Sequence, residues 1–155
     1  MSAFFETIGG LGFTILGAAL TAGLCCIGSA KGTGMVGEAA SGLVSEDPDK
    51  STKCLILQVL PGTQGLYGFV ALFIVLGQVG VLSGSPVAVT VSQGLAFFAA
   101  CLPIMLGGWL SAIFQGRVAA APSASWPNIL KLPPRALSSA VSWSSTLFCL
   151  WWPPL

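Results

Sequence analysis

Three long apolar stretches dominate the chain, from about Ile8 to Ala30, from Cys54 to Leu82 and from Val87 to about Phe114. Each exceeds the ~20 residues that a helix needs to cross the hydrocarbon of a bilayer, so the pattern predicts three transmembrane helices. The one strongly charged connection, Glu46-Asp47-Pro48-Asp49-Lys50-Ser51-Thr52-Lys53, separates the first two and reads as the polar loop of a helical hairpin. The second connection, Ser83-Gly84-Ser85-Pro86, is short and uncharged, as an external turn would be. The expected organisation is a first helical hairpin over 1–82, a third transmembrane helix over 83–121 and a divergent tail over 122–155.

Composition strengthens the membrane reading. Hydrophobic residues make up 54% of the chain and charged residues 7%, far below the roughly 25% charged content of a soluble domain. A net charge of +1 excludes an electrostatic case for nucleic acid. The five cysteines have no CxxC spacing and read as small buried thiols. The opening MSAFFETIGG carries a carboxylate and no basic segment, unlike a cleaved signal peptide. Lys31, Lys50, Lys53 and, after two further crossings, Arg117 gather on one side, which the positive-inside rule makes cytoplasmic. The chain is therefore expected in the cell membrane, multi-pass, with its first loop in the cytoplasm.

Two features stand out within the apolar stretches. Glycines recur through the first span and just beyond it, and Gly28 with Gly32 forms a GxxxG step that lets helix backbones approach closely. In the second stretch Gln58, Thr63, Gln64 and Tyr67 place polar groups where each uncompensated one costs several kcal/mol in a bilayer. Leu60, Gln64 and Tyr67 fall at i, i+4 and i+7 on one helix face, with Thr63 beside it. Pro61 has no N–H for the carbonyl four residues earlier, which disturbs that turn and exposes a backbone oxygen. Amide, hydroxyl and carbonyl oxygens suit a small hard cation. The same groups serve equally well as interhelical hydrogen bonds with no ion.

The third span also reads as a copy of the first. Ile27-Gly28-Ser29-Ala30-Lys31 aligns with Ile113-Phe114-Gln115-Gly116-Arg117, each ending in a cation. Such internal repeats are common in membrane transport proteins.

The strings Ile27-Gly-Ser-Ala-Lys-Gly-Thr-Gly-Met-Val-Gly-Glu-Ala-Ala40, Leu57-Gln-Val-Leu-Pro-Gly-Thr-Gln-Gly-Leu-Tyr-Gly68 and Phe114-Gln-Gly-Arg-Val-Ala-Ala-Ala121 closely resemble the K (proteolipid, c-type) subunit of bacterial V/A-type rotary ATPases. The resemblance covers roughly residues 8 to 121. It implies a duplicated hairpin of four helices, assembled as a homo-oligomeric rotor ring that works against a membrane stator subunit and a central stalk. It also implies that a carboxylate on the fourth helix carries Na+ or H+. In the sodium-binding branch the other ligands correspond to the Leu60 backbone oxygen, Thr63, Gln64 and Gln115, with Tyr67 supporting the carboxylate. Glu38 lies in a family-like string but is expected at the cytoplasmic helix end, as a solvated charge outside the site.

That carboxylate is missing. Glu6, Glu38, Glu46, Asp47 and Asp49 are the only acidic residues, and all precede Lys50. From Pro122 onward the composition changes: this segment holds six of the ten prolines and four of the five tryptophans. Pro133-Pro134 and Pro153-Pro154 bracket an interval interrupted by Arg135 and five serines, which is a poor membrane helix. Each new codon can instead be formed from the last base of one codon and the first two of the next. Ala121 to Ser139 then permits Ala-Ile-Gly-Ile-Leu-Ala-Lys-His-Pro-Glu-Ala-Ala-Ser-Lys-Gly-Ile-Ile-Leu, which resembles the first repeat's own loop from Asp47 to Leu57. A glutamate codon is permitted across Trp143/Ser144 or Ser144/Ser145, followed by an apolar run. The tail thus reads as a fourth helix out of frame. The rival is a genuine diverged tail lying at the interface, with Trp151 and Trp152 at headgroup level.

The functional expectation is an ion-carrying rotor subunit that transports Na+ or H+, with no cofactor. No GxxxxGK[ST] loop is present, so ATP chemistry belongs to another subunit. The alternatives are a non-transporting structural or assembly proteolipid, which the carboxylate count favours, and a small multidrug or channel-like transporter, which if cation-coupled would also need a membrane charge.

Overall fold

The computed structural model describes residues 2–120, and side chains from Gly9 onward. Among the described residues four α-helices run in order: α1 (Ser2–Glu46), α2 (Ser51–Val59), α3 (Thr63–Gln78) and α4 (Val91–Ala120). Short 3-10 turns at Pro48–Lys50 and Leu60–Gly62 join α1 to α2 and α2 to α3. Three stretches are long and apolar enough to cross a membrane: Gly9–Glu46, Pro48–Gln78 and Val91–Ala120. The three expected spans are all present. The proposed fourth helix and the tail from residue 122 lie outside the described residues.

The helix ends differ from the sequence reading. α1 is kinked at Gly9, whose φ of 62° is left-handed, and then continues well past Ala30 to Glu46. Its 38 residues from Gly9 span about 57 Å, nearly twice the ~30 Å of hydrocarbon. Nothing between Lys31 and Glu46 breaks a helix, and Val36, Ala40 and Leu43 recur at helical spacing. They bury themselves against Cys54 and Leu57 of α2 and Ala119 of α4. The charged loop contracts accordingly to a corner. Asp47 N–H donates to the Leu43 carbonyl at 2.9 Å, and Lys50 Nζ pairs with Asp47 Oδ2 at 2.6 Å.

On the opposite side, α3 ends at Gln78 instead of Leu82, and α4 begins at Val91 instead of Val87. Thr90-Val91-Ser92-Gln93 forms a capping box: Gln93 Oε1 accepts from Thr90 N–H at 3.1 Å, while Thr90 Oγ1 accepts from Gln93 N–H at 3.4 Å. The expected four-residue turn is therefore a longer connection over residues 79–90, closed by Val87 N–H donating to the Val79 carbonyl at 3.0 Å.

α1 and α4 run side by side in the same direction. Gly10 lies against Gly94 and, about six turns on, Gly32 lies against Gly116, with the same sequence offset at both ends. A side chain at Gly28 would stand 2.5 Å from the Trp109 carbonyl oxygen, so the expected GxxxG step is a true backbone contact. Lipid is as apolar as leucine and supplies no hydrophobic force between helices, so such van der Waals contact holds them together. The outward-facing surface is correspondingly apolar: Leu66, Phe73, Phe114 and Val118 are all more than half exposed.

Candidate ion-binding site

The site begins with a backbone defect. Pro61 gives no N–H to the Leu57 carbonyl, and the chain tightens into the 3-10 turn Leu60–Gly62. The Leu60 carbonyl then accepts the Thr63 N–H. It also lies 3.0 Å from Thr63 Oγ1, which stands 3.2 Å from Gln64 Oε1. A hydroxyl has one proton, so Thr63 donates to one of these oxygens at a time.

Gln64 is 3% exposed and points from α3 towards α4. Its Nε2 donates to Gln115 Oε1 at 2.5 Å. Leaving either amide unpaired here would cost about 1–3 kcal/mol, so the pairing accounts for both glutamines in apolar helices. Leu60, Thr63, Gln64 and Gln115 are thus brought together. Tyr67 sits about one turn further along α3, half-buried. Gln58 does not join them: its amide packs against Gly37 of α1. Glu38 is exposed, in keeping with the expected solvated charge.

Chemically, the set offers two amide oxygens, a hydroxyl and a backbone carbonyl, all neutral and all hard. Each is tied to another by a hydrogen bond. A cation would replace the N–H bridge, with the Gln64 amide turned so that both glutamine oxygens face it. The +1 charge would then lack a counter-charge. Among the described residues no three His, Cys, Asp or Glu side chains gather to hold a metal ion, and the position expected near Trp143, Ser144 and Ser145 lies outside them.

One neighbour of the site is not legible in the sequence. The GxxxG step marks Gly32 for helix packing, yet this residue also faces Pro61: a side chain there would stand 2.5 Å from the Ala112 carbonyl oxygen and 2.7 Å from Pro61 Cβ. Three helices therefore meet at Gly32. No periodicity within α1 announces a contact across the hairpin. The available signal is the pair of special residues themselves, a glycine and a proline whose local roles do not point to each other.

Comparison with known proteins gives a consistent result. The family of the C subunit of ATP synthase matches residues 16–75. The V-type sodium ATPase subunit K of Enterococcus hirae is 49% identical over 113 residues, which are 73% of this chain and 69% of that protein. The A-type ATP synthase subunit K of Methanocaldococcus jannaschii is 42% identical over 106 residues, 68% of this chain, and the match spans only 43% of the archaeal protein. With its three long apolar helices and this degree of identity, the chain belongs to the family of c-type and K-type membrane proteolipids of rotary ATPases.

Proposed function

We propose that the chain is an ion-carrying rotor-ring subunit of a V/A-type ATPase, and that its cargo is Na+ at Leu60, Thr63, Gln64 and Gln115. The observation that carries this reading is the convergence of Gln64 and Gln115, from two different helices, beside the Thr63 hydroxyl and the Leu60 carbonyl. A proton needs a carboxyl and one hydrogen-bond partner, whereas four converging oxygens are the coordination sphere of a cation. The subunit hydrolyses no ATP; identical copies ring together in the cell membrane against a stator and a central stalk, with the Lys50 and Lys53 corner in the cytoplasm.

The charged half of the site is then a glutamate that the alternative frame permits near Trp143, Ser144 and Ser145, on the fourth helix, with Tyr67 as its support. Dicyclohexylcarbodiimide, which modifies protonated membrane carboxyls, tests both parts. The expected result is one labelled peptide beyond residue 121 in the protein from the native gene, protected by Na+. Several independent reads confirming the written frame through Pro122, with no labelled peptide, would sink the proposal. That outcome would leave the second reading, a non-transporting assembly proteolipid, which the absence of any acidic residue after Asp49 favours. Na+-independent labelling would transfer the cargo assignment to H+.

A further inference from the structure

Gly32 occupies the point where α1 meets both halves of the site. On one side it takes the Pro61 ring, which is less than 2% exposed and rigid. On the other it takes the α4 backbone: a side chain on Gly116 would stand 2.5 Å from Gly32 Cα. Thr63 and Gln64 follow directly from the turn that Pro61 anchors, and Gln115 directly precedes Gly116. The reach of Gln64 to Gln115 is already closed at 2.5 Å.

We infer that Gly32 is a positioning residue for the cation site: its missing side chain sets the spacing of α3 and α4, and hence whether the Gln64 and Gln115 oxygens can share one ion. This rests on the ion-carrying reading for its functional consequence but on geometry alone for its structural one. A methyl group at Gly32 has no flexible side chain to displace on the α4 side; it meets backbone. It must therefore drive α4 and the Pro61 turn away from α1. Coordination distances hold to within about 0.2 Å, so even a small separation removes one oxygen from the sphere.

Gly28 provides the control. Its three nearest neighbours are all Trp109 backbone atoms, as close as Ala112 is to Gly32, whereas Gly32 has Pro61 Cβ at 2.7 Å among its own. The experiment compares Gly32→Ala and Gly28→Ala in the full-length product of the native gene in lipid nanodiscs. The Gln64 Nε2 to Gln115 Cδ distance is measured by solid-state NMR with labelled glutamine, and 22Na+ affinity on the same samples. Gly32→Ala is expected to lengthen the amide contact and weaken Na+ binding at least about tenfold, with Gly28→Ala within about threefold of the parent. An unchanged distance in Gly32→Ala, or equal lengthening in Gly28→Ala, overturns the inference. Gln64→Leu separates the two claims: if it leaves 22Na+ binding unaltered, the cation site itself is refuted, while the distance comparison still decides the role of Gly32. If Gly32→Ala does not fold, Gly32→Ser with the same two readouts replaces it, and a contact that stays at the parental length again overturns the inference.

Discussion

The seam between α1 and α4 and the junction between α3 and α4 are built on opposite principles. Along the seam, contact comes from side chains that are absent: Gly10 on Gly94, Gly28 on Trp109 and Gly32 on Gly116. At the junction, contact comes from long polar side chains, Gln64 reaching Gln115. Along α1 itself, knob and notch alternate. At Cys25 the helix offers a buried side chain to notches at Gly68 and Gly108, and its Sγ donates to the Ile104 carbonyl at 3.4 Å. Two turns later, at Gly32, α1 offers the notch and receives Pro61. Backbone contact gives a rigid frame, because no rotamer can relax it. Side-chain amides give a site whose donors can turn to exchange a hydrogen bond for an ion.

Breaking the seam should have the largest effect. Gly116→Val puts two methyl groups against the α1 backbone, where Gly32 Cα already lies 2.5 Å from a first added carbon. Overpacking of this kind costs about 1–3 kcal/mol or more, and here the obstacle is backbone. The expected outcome is loss of monodisperse protein on size-exclusion chromatography of detergent extracts.

Breaking the junction should matter less for folding and more for binding. Gln64→Leu takes away the amide that Gln115 Oε1 accepts from, at a cost of about 1–3 kcal/mol, and removes an ion ligand. Gln64→Leu with Gln115→Leu replaces both partners by apolar groups, so thermal stability should return towards the parent while 22Na+ binding stays lost. Recovery of binding in the double variant would contradict the ligand assignment. Thr63→Val keeps the side-chain shape and removes one hydroxyl. It should lower stability by about 0.5–1.5 kcal/mol or less, with a separate and measurable fall in Na+ affinity.

The smallest effect belongs to the corner outside both regions. The Lys50 ammonium, hydrogen-bonded to Asp47, lowers that carboxyl below its ordinary value of 3.8. A depressed carboxyl pKa contributes stability that is present above the unfolded value and is lost as pH falls through the folded one. The Asp47–Lys50 pair should therefore hold at pH 5 and open below about pH 3.8. Asp47→Asn should abolish that pH dependence, seen as faster proteolysis at the corner, with no change in the amide contact of the site.

Hydropathy located the three spans because a bilayer imposes a length and a composition that any helix must meet. It misplaced their ends because helix termini obey other rules. α1 runs on to Glu46 because Val36, Ala40 and Leu43 find partners on α2 and α4, and α4 starts at Val91 because Thr90 and Gln93 cap it. The capping box was present in the sequence, but Val87 to Val89 continued the apolar pattern and concealed it. The residues proposed as ligands were legible as polar groups in an apolar helix and through family resemblance. Their mutual hydrogen bonding was not.

The sequence alone thus determined that the chain is an all-helical membrane proteolipid, which polar groups are candidates for its site, and that no acidic residue follows Asp49 to balance a cation. The tertiary structure decided that Gln64 meets Gln115, that Gln58 turns aside to Gly37, and that Gly32 stands beneath both Pro61 and α4. The division has a physical cause. Burial in lipid acts on each residue through its own polarity and can be read position by position. The spacing of three helices is set by where backbones collide, and collisions belong to pairs of residues far apart in the chain.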